Sequence, residues 1–273
     1  MSHKLLLIGG ASSGKTHFGA QLLSRLQAGT GRLKTRDHPQ TIALFENVLR
    51  RLGQGLSSDH TGAEVYGEIV LPAINSQGGE IDLVWPDYGG EQVEEIAERR
   101  FVTSEWVVRI EQSEAWVLML RPMLVVAEDD LLNRPLHRMP TAGVSPKKAA
   151  SGQTQIVELL QILRHSKRLN NLTPTDSPRM LVLLSCWDEL GDGGMRPSEL
   201  LAQRMPMVHA FLSSNWAPES LLIFGLSSLG KSLSPTQVDV EYQDRGPESF
   251  GYIVLPTGQR LRDLTLPIAE VAS

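Results

Sequence analysis

The sequence has one cysteine, Cys186, in 273 residues. An internal disulfide is therefore excluded, and the chain fits a reducing cytoplasm. No apolar run approaches the length of a membrane span. The apolar run at residues 4–8 is too short for the core of a signal peptide. A formal net charge of -5 gives no overall attraction to nucleic acid. There is no internal repeat and no compositional break that marks a domain boundary. With 41% hydrophobic and 21% charged residues, the composition is that of an ordinary soluble globular protein with material for a large core. Its length suits one large α/β domain or two small ones. In the absence of a boundary, residues 1–273 read as a single domain.

The most informative stretch is Leu5-Leu6-Leu7-Ile8 followed by Gly9-Gly10-Ala11-Ser12-Ser13-Gly14-Lys15-Thr16 and His17. It predicts a strand, a glycine-bearing loop and the first turn of a helix whose apolar face carries Phe18, Leu22 and Leu26. The spacing Gly-x-x-x-x-Gly-Lys-Thr is the P-loop pattern, in which successive backbone N–H groups wrap a phosphate. Gly9 and Gly14 permit backbone angles and close approaches that a Cβ forbids. Lys15 supplies a point charge for the β- and γ-phosphates and Thr16 a hydroxyl for Mg²⁺. The helix N-terminus adds its unpaired N–H groups and positive dipole end. A chance glycine-rich turn is the plain alternative, and the flanking strand and helix patterns argue against it.

Along the rest of the chain, strand and helix patterns alternate. A helix carries Ile42, Phe45, Leu49 and Leu52 and ends at Gly53 and Gly55. Strands at 64–71 and 80–85, joined by Gly78-Gly79, predict a hairpin. A charged helix follows at 91–101, with Val93, Ile96 and Ala97 inward. Buried-type strands are expected at 115–120, 180–184 and 221–224. An amphipathic helix runs through Ile156 to Leu163 and closes on the basic group Arg164-His165-Ser166-Lys167-Arg168, read as charge at a helix C-terminus. Another helix passes through Leu201, Met205, Val208 and Phe211, with Pro206 as a kink point. Residues 123–152 read as an irregular insertion. Residues 234–273 form a C-terminal extension with a small hairpin and a closing helix after Asp263. The expected fold is α/β: a doubly wound, mostly parallel sheet with one antiparallel strand and its ligand at the strand C-terminal ends.

Three further motifs fall at later strand ends. Asp87-Tyr88-Gly89-Gly90 fits Asp-x-x-Gly, where the acid holds Mg²⁺ and Gly90 offers its N–H to the γ-phosphate; a simple turn is the alternative. Ser185-Cys186-Trp187-Asp188 stands where GTPases carry Asn-Lys-x-Asp. Asp188 suits guanine's N1–H and exocyclic amine, while Ser185 and Cys186 depart from the motif. Trp187 covers the base or belongs to the core. Ser227-Ser228 resembles a last base-side motif. Thr61 is either a switch threonine that completes Mg²⁺ coordination or a loop threonine facing solvent.

With these motifs the chain resembles the translation-factor and Ras-like class of P-loop GTPases, and most closely the bacterial double-GTPase families associated with multi-gene conflict or defence systems. The resemblance implies a Ras-like GTPase domain, GTP/GDP and Mg²⁺ as ligands, and partner proteins from the same operon. It also implies hydrolysis in which Lys15 and Gly90 face the γ-phosphate and Glu91 or Gln92 positions water. An acid at position 91 is repelled by the γ-phosphate, so intrinsic turnover is expected to be slow. Three other readings stay open: a nucleotide-gated interaction module with little hydrolysis, an ATP-using P-loop protein, and a P-loop kinase with Arg164 and Arg168 on a lid.

Overall fold

Strand β1 (His3–Ile8) lies inside a nine-stranded sheet and pairs in parallel with β4 (Glu80–Trp85) on one side and β5 (Ala115–Leu120) on the other. The computed structural model describes residues 3–37, 42–58, 69–85, 91–125, 152–170, 172–191 and 194–273, the side chains of Leu44, Glu91, Gln92 and Glu94 excepted. The remaining strands are β2 (Leu33–Thr35), β3 (Ile69–Asn75), β6 (Arg179–Leu184), β7 (Leu221–Ser227), β8 (Tyr252–Val254) and β9 (Arg260–Leu261). Their order across the sheet is β2-β3-β4-β1-β5-β6-β7-β8-β9.

The five central strands, β4, β1, β5, β6 and β7, run parallel. The expected hairpin is present, with β3 antiparallel to β4 from Ile69 opposite Trp85 to Ile74 opposite Glu80. Residues 64–68 of the anticipated strand lie outside the described residues. One antiparallel strand was expected; a second, β8, reverses direction beside β7 at the opposite edge. It belongs to the C-terminal hairpin, which continues the sheet through β9.

Side chains alternate along each strand, so one run of sequence feeds two cores. Leu5 and Leu7 of β1, Val117 and Met119 of β5, and Leu181 and Leu183 of β6 enter one core. Leu6, Ile8, Trp116, Leu118, Met180 and Val182 enter the other. The first face is covered by α1 (Lys15–Ala28), α2 (Ala43–Gly53), α8 (Val240–Arg245) and α9 (Leu266–Val271). The second is covered by α3 (Glu91–Arg99), α4 (Ser104–Gln112), α5 (Gly152–Ser166), α6 (Pro197–Arg204) and α7 (Pro206–Asn215). Helices on both faces of a mostly parallel sheet make the fold doubly wound, the Ras-like P-loop architecture.

One detail differs from the sequence reading. The helix expected to kink at Pro206 is two helices, because Met205 leaves the helical region (φ -137°, ψ 60°) and proline disfavours helical angles in the residue before it. The C-terminal segment packs into the first core. Gln21 of α1 donates to the Tyr242 hydroxyl (3.1 Å) and the Pro247 carbonyl (3.0 Å). Arg25 donates to Phe250 O at 2.6 Å, and Asp263 and Thr265 accept from the backbone N–H groups of Arg32 and Leu33. The basic side chains after Leu163, Arg164 and Lys167, reach carbonyls of neighbouring segments rather than those of their own helix. Arg164, 1% exposed, donates to Asn215 O and Asn170 O, and Lys167 donates to Glu111 O and Ser113 O.

Gly19 sets how closely α1 and α2 approach. A Cβ there would lie 2.4 Å from the Phe45 ring, which is fully buried against Trp85. Gly19→Ala gains about 1 kcal/mol of helix propensity and loses about 1–3 kcal/mol to overpacking. A net destabilisation is expected, measured as a lower denaturant midpoint with an unchanged slope.

Candidate nucleotide site

Because β1, β4, β5, β6 and β7 are parallel, their carboxyl ends open onto one edge of the sheet. β1 lies at the topological switch point, and ligands of open α/β sheets occupy the crevice outside the strand ends there. The loop from Gly9 to Gly14 leaves β1 at this point. Gly9 is buried, and a Cβ on it would meet Ser13 Oγ at 2.8 Å and Met119 O at 3.0 Å, so any side chain there would crowd the loop against β5. Gly14 stands at φ 86° before α1. Ser12 also holds a left-handed angle, φ 55°, without being a glycine.

Lys15 turns back over the loop it follows. Its Nζ donates to Gly9 O (2.7 Å) and Gly10 O (2.6 Å) and lies 3.4 Å from Ser13 Oγ. Ser13 Oγ itself donates to Gly10 O at 2.9 Å. Ala11 and Ser12 are exposed, while Lys15 and Thr16 are half-buried at the start of α1. A cation inside a loop of tight backbone at a helix N-terminus is a cradle for an anion with several oxygens. Among the described residues no cluster of three or more His, Cys, Asp or Glu could hold a metal.

The base-side residues reach the same edge. Gly14 is in contact range of Ser185 and Cys186, with its Cβ position 3.8 Å from Ser185 Cβ and 4.0 Å from Cys186 Sγ. Ser185 is tied to the end of β5 through Leu120 O, by its N–H (2.7 Å) and its hydroxyl (3.1 Å). Cys186 takes a left-handed conformation (φ 53°) and starts a short 3₁₀ turn, Trp187–Leu190. Burial pushes its thiol up to about 11, against the opposing pull of Arg121. Asp188 is half-buried, and Ser227 Oγ donates to its Oδ1 at 2.5 Å. The same Ser227 oxygen accepts from Gly230 N–H at 2.9 Å. Ser227 is fully buried, and its hydroxyl fixes the carboxylate of Asp188. Ser228 is half-buried, and its carbonyl oxygen would lie 2.7 Å from a Cβ on Gly251. Trp187 is buried in the second core with its ring on Gly225, where a Cβ would lie 2.4 Å from the indole.

Thr61, Asp87 and Gly90 lie outside the described residues. Glu91 and Gln92 open α3, beyond the end of β4. His17 engages the chain that leads to Thr61: its Nε2 accepts from Ser58 N–H (3.3 Å) and lies 3.1 Å from Ser58 Oγ. With Nε2 accepting, the ring proton sits on Nδ1.

One residue at this edge escaped the sequence reading. Arg121, the first residue after β5, forms a two-pronged pair with Glu189 (Nε to Oε2 3.0 Å, Nη2 to Oε1 2.5 Å). Its Nη1 lies 3.4 Å from Ser12 O. The Glu189 hydrogen bond holds the guanidinium above its ordinary pKa. An arginine at a strand end beside a glycine loop was the available signal.

The model of the Double-GTPase 1 family matches residues 6–271. The chain belongs to this family. Two solved structures are similar to this double-GTPase. Against the bacterial selenocysteine-specific elongation factor EF-Sec the identity is 14% and the TM-score 0.37, over 84% of this chain and 26% of that one. The chain thus spans about a quarter of EF-Sec. Against the small GTPase Arl6 (BBS3) from Trypanosoma brucei, whose structure holds the nucleotide analogue GppNp, the identity is 13% and the TM-score 0.41, over 90% of this chain and 95% of that one. No curated protein matches by sequence.

Burial pulls the His17 imidazole down from 6.5 to about 4. Between these values the unfolded chain takes up a proton that the folded chain refuses, so stability is full above about pH 6.5 and falls as the pH drops towards 4. The loss reaches about 3 kcal/mol at its largest. Denaturant unfolding between pH 7.5 and 4.5 is expected to show this slope in the native sequence and a flatter one in His17→Asn.

Proposed function

We propose that the chain is a Mg²⁺-dependent GTP-binding and GTP-hydrolysing switch with slow intrinsic turnover. It acts in the cytoplasm with protein partners encoded in the same operon of a bacterial multi-gene system. The observation that carries this reading is the nearness of Gly14 to Ser185 and Cys186, whose side-chain atoms would lie 3.8–4.0 Å from a Cβ at position 14. It supports reading the phosphate loop and the Asp188 loop as parts of one site, with Asp188 held by Ser227.

In this reading the backbone N–H groups from Gly10 to Thr16 and the Lys15 ammonium bind the β- and γ-phosphates. Lys15 exchanges its contacts with Gly9 O and Gly10 O for charged phosphate oxygens, which are stronger acceptors. Thr16 and Asp87 hold Mg²⁺, with Thr61 completing the set, and the metal when bound neutralises charge on the phosphate oxygens. Gly90 senses the γ-phosphate, and Glu91 or Gln92 orients the attacking water. Water attacks the γ-phosphorus, the bond from phosphorus to the β–γ bridging oxygen breaks, and the electron pair leaves with GDP. Asp188 accepts from guanine N1–H and its exocyclic amine. Its Oδ2 and remaining lone pairs are suited to that task, since Ser227 engages Oδ1. Ser228 lines the base side, while Trp187 stays in the second core behind it.

Displacement of a fluorescent nucleotide by GTP, GDP, ATP and ADP, together with phosphate release, tests this. The native sequence is expected to prefer guanine and to release phosphate slowly from GTP. Asp188→Asn is expected to lose about a hundredfold of that preference, the worth of two hydrogen bonds to a charged acceptor. Lys15→Ala is expected to abolish turnover. Equal binding of ATP and GTP by the native sequence, or unchanged turnover in Lys15→Ala, overturns the reading. Tight binding with no phosphate release assigns the chain to nucleotide-gated interaction instead.

A further inference from the structure

The phosphate loop contains a position whose conformation its own residue disfavours. Ser12 stands at φ 55°, a region that glycine enters freely and that costs other residues because Cβ crowds the backbone. Glycines at positions 9, 10 and 14 leave Ser12 as a non-glycine left-handed residue in an exposed stretch of the loop. Such a conformation persists where its surroundings hold it, and the hydrogen bonds of Lys15 and Ser13 to Gly9 O and Gly10 O constrain this loop from within.

The group beside it is Arg121. Its Nη1 lies 3.4 Å from Ser12 O, while Nε and Nη2 are fixed on both oxygens of Glu189. Arg121 and Glu189 are 27% and 26% exposed, so water competes only partly for the pair. A two-pronged guanidinium–carboxylate pair has one geometry, so Nη1 is aimed at the loop rather than free to swing. A trans peptide holds C=O and N–H in one plane, pointing in opposite directions. With Ser12 O turned out towards Arg121, the Ser13 N–H points away from the guanidinium.

We propose that Arg121, clamped by Glu189, is a positioning residue that sets the Ser12–Ser13 peptide so that the Ser13 N–H faces the phosphates of the bound nucleotide. This rests on the nucleotide reading above and adds to it a second coupling between the phosphate loop and the base-side loop, since Glu189 directly follows Asp188. Arg121 touches the loop carbonyl, and in this proposal it acts through the peptide.

The test measures GDP affinity in the full chain, with the ³¹P resonance of the bound β-phosphate as the local readout. Arg121→Ala is expected to weaken GDP binding about tenfold and to move the β-phosphate resonance. Glu189→Gln, which keeps the cation but loosens the clamp, is expected to do the same to a lesser degree. Ser12→Gly in the Arg121→Ala background is expected to recover most of the affinity and return the resonance, because glycine holds the left-handed angle without help. Native-like affinity and resonance in Arg121→Ala overturn the proposal. A loss of affinity that Ser12→Gly leaves uncorrected, with a lower melting point in the nucleotide-free protein, also overturns it and makes Arg121 a structural brace. Failure of the native sequence to bind GDP is a separate outcome, which removes the nucleotide reading and this inference with it.

Discussion

The parallel pairing of β1 with β4 and β5 at once decides where every other group at the working edge falls. Ile8 lies opposite Leu118, Leu120 opposite Leu184, and Leu184 opposite Gly225. The chain therefore leaves the sheet at adjacent points along one edge. A slip of one residue would exchange the two cores and turn Leu5 and Leu7 onto the wrong face. The same slip would move Gly9 away from Met119 O, where any side chain would crowd the loop against β5. The cores and the phosphate loop thus enforce the same register.

At that edge the protein holds two non-glycine residues, Ser12 and Cys186, in left-handed conformations on loops that meet at Gly14. Each costs on the order of 1 kcal/mol or more. That cost is tolerable only because the surroundings are over-determined: the strands beneath are buried to within a few per cent, and hydrogen bonds run from Ser185 to Leu120 and from Ser227 to Asp188. The two hydrophobic cores anchor the strands from which these loops leave the sheet.

Much of this was legible in the sequence because it is local. Leu5 to Thr16 announces its strand, loop and helix in twelve consecutive residues, and β5 and β6 are unmistakable as apolar runs. Elements that depend on distant partners were not legible. β2 has three residues, too few for any period, and exists by pairing antiparallel with β3, with Thr265 accepting from the Leu33 N–H beside it. α4 was passed over although Thr103 caps it and Trp106 and Ile110 share one buried face; nine residues between a helix and a strand read as a connection. The motif order placed Asp188 and Ser227 on successive strand ends. That one fixes the other across 39 positions, and that Arg121 reaches Glu189 across 68, is a property of the sheet and of no local pattern.

The cover over α1 carries a consequence for how the molecule is made. Tyr242, Ile253, Leu264, Leu266, Ile268 and Val271 belong to the same core as Phe18, Leu22 and Leu26. A ribosome adding roughly 5–20 residues each second needs on the order of tens of seconds to pass from α1 to residue 271. Throughout that interval the apolar side of α1 lacks its final neighbours, and Gln21 and Arg25 lack the acceptors at Pro247 and Phe250. α1 is therefore translated well before residues 242–271, and the core on its side of the sheet is complete only once they have been made.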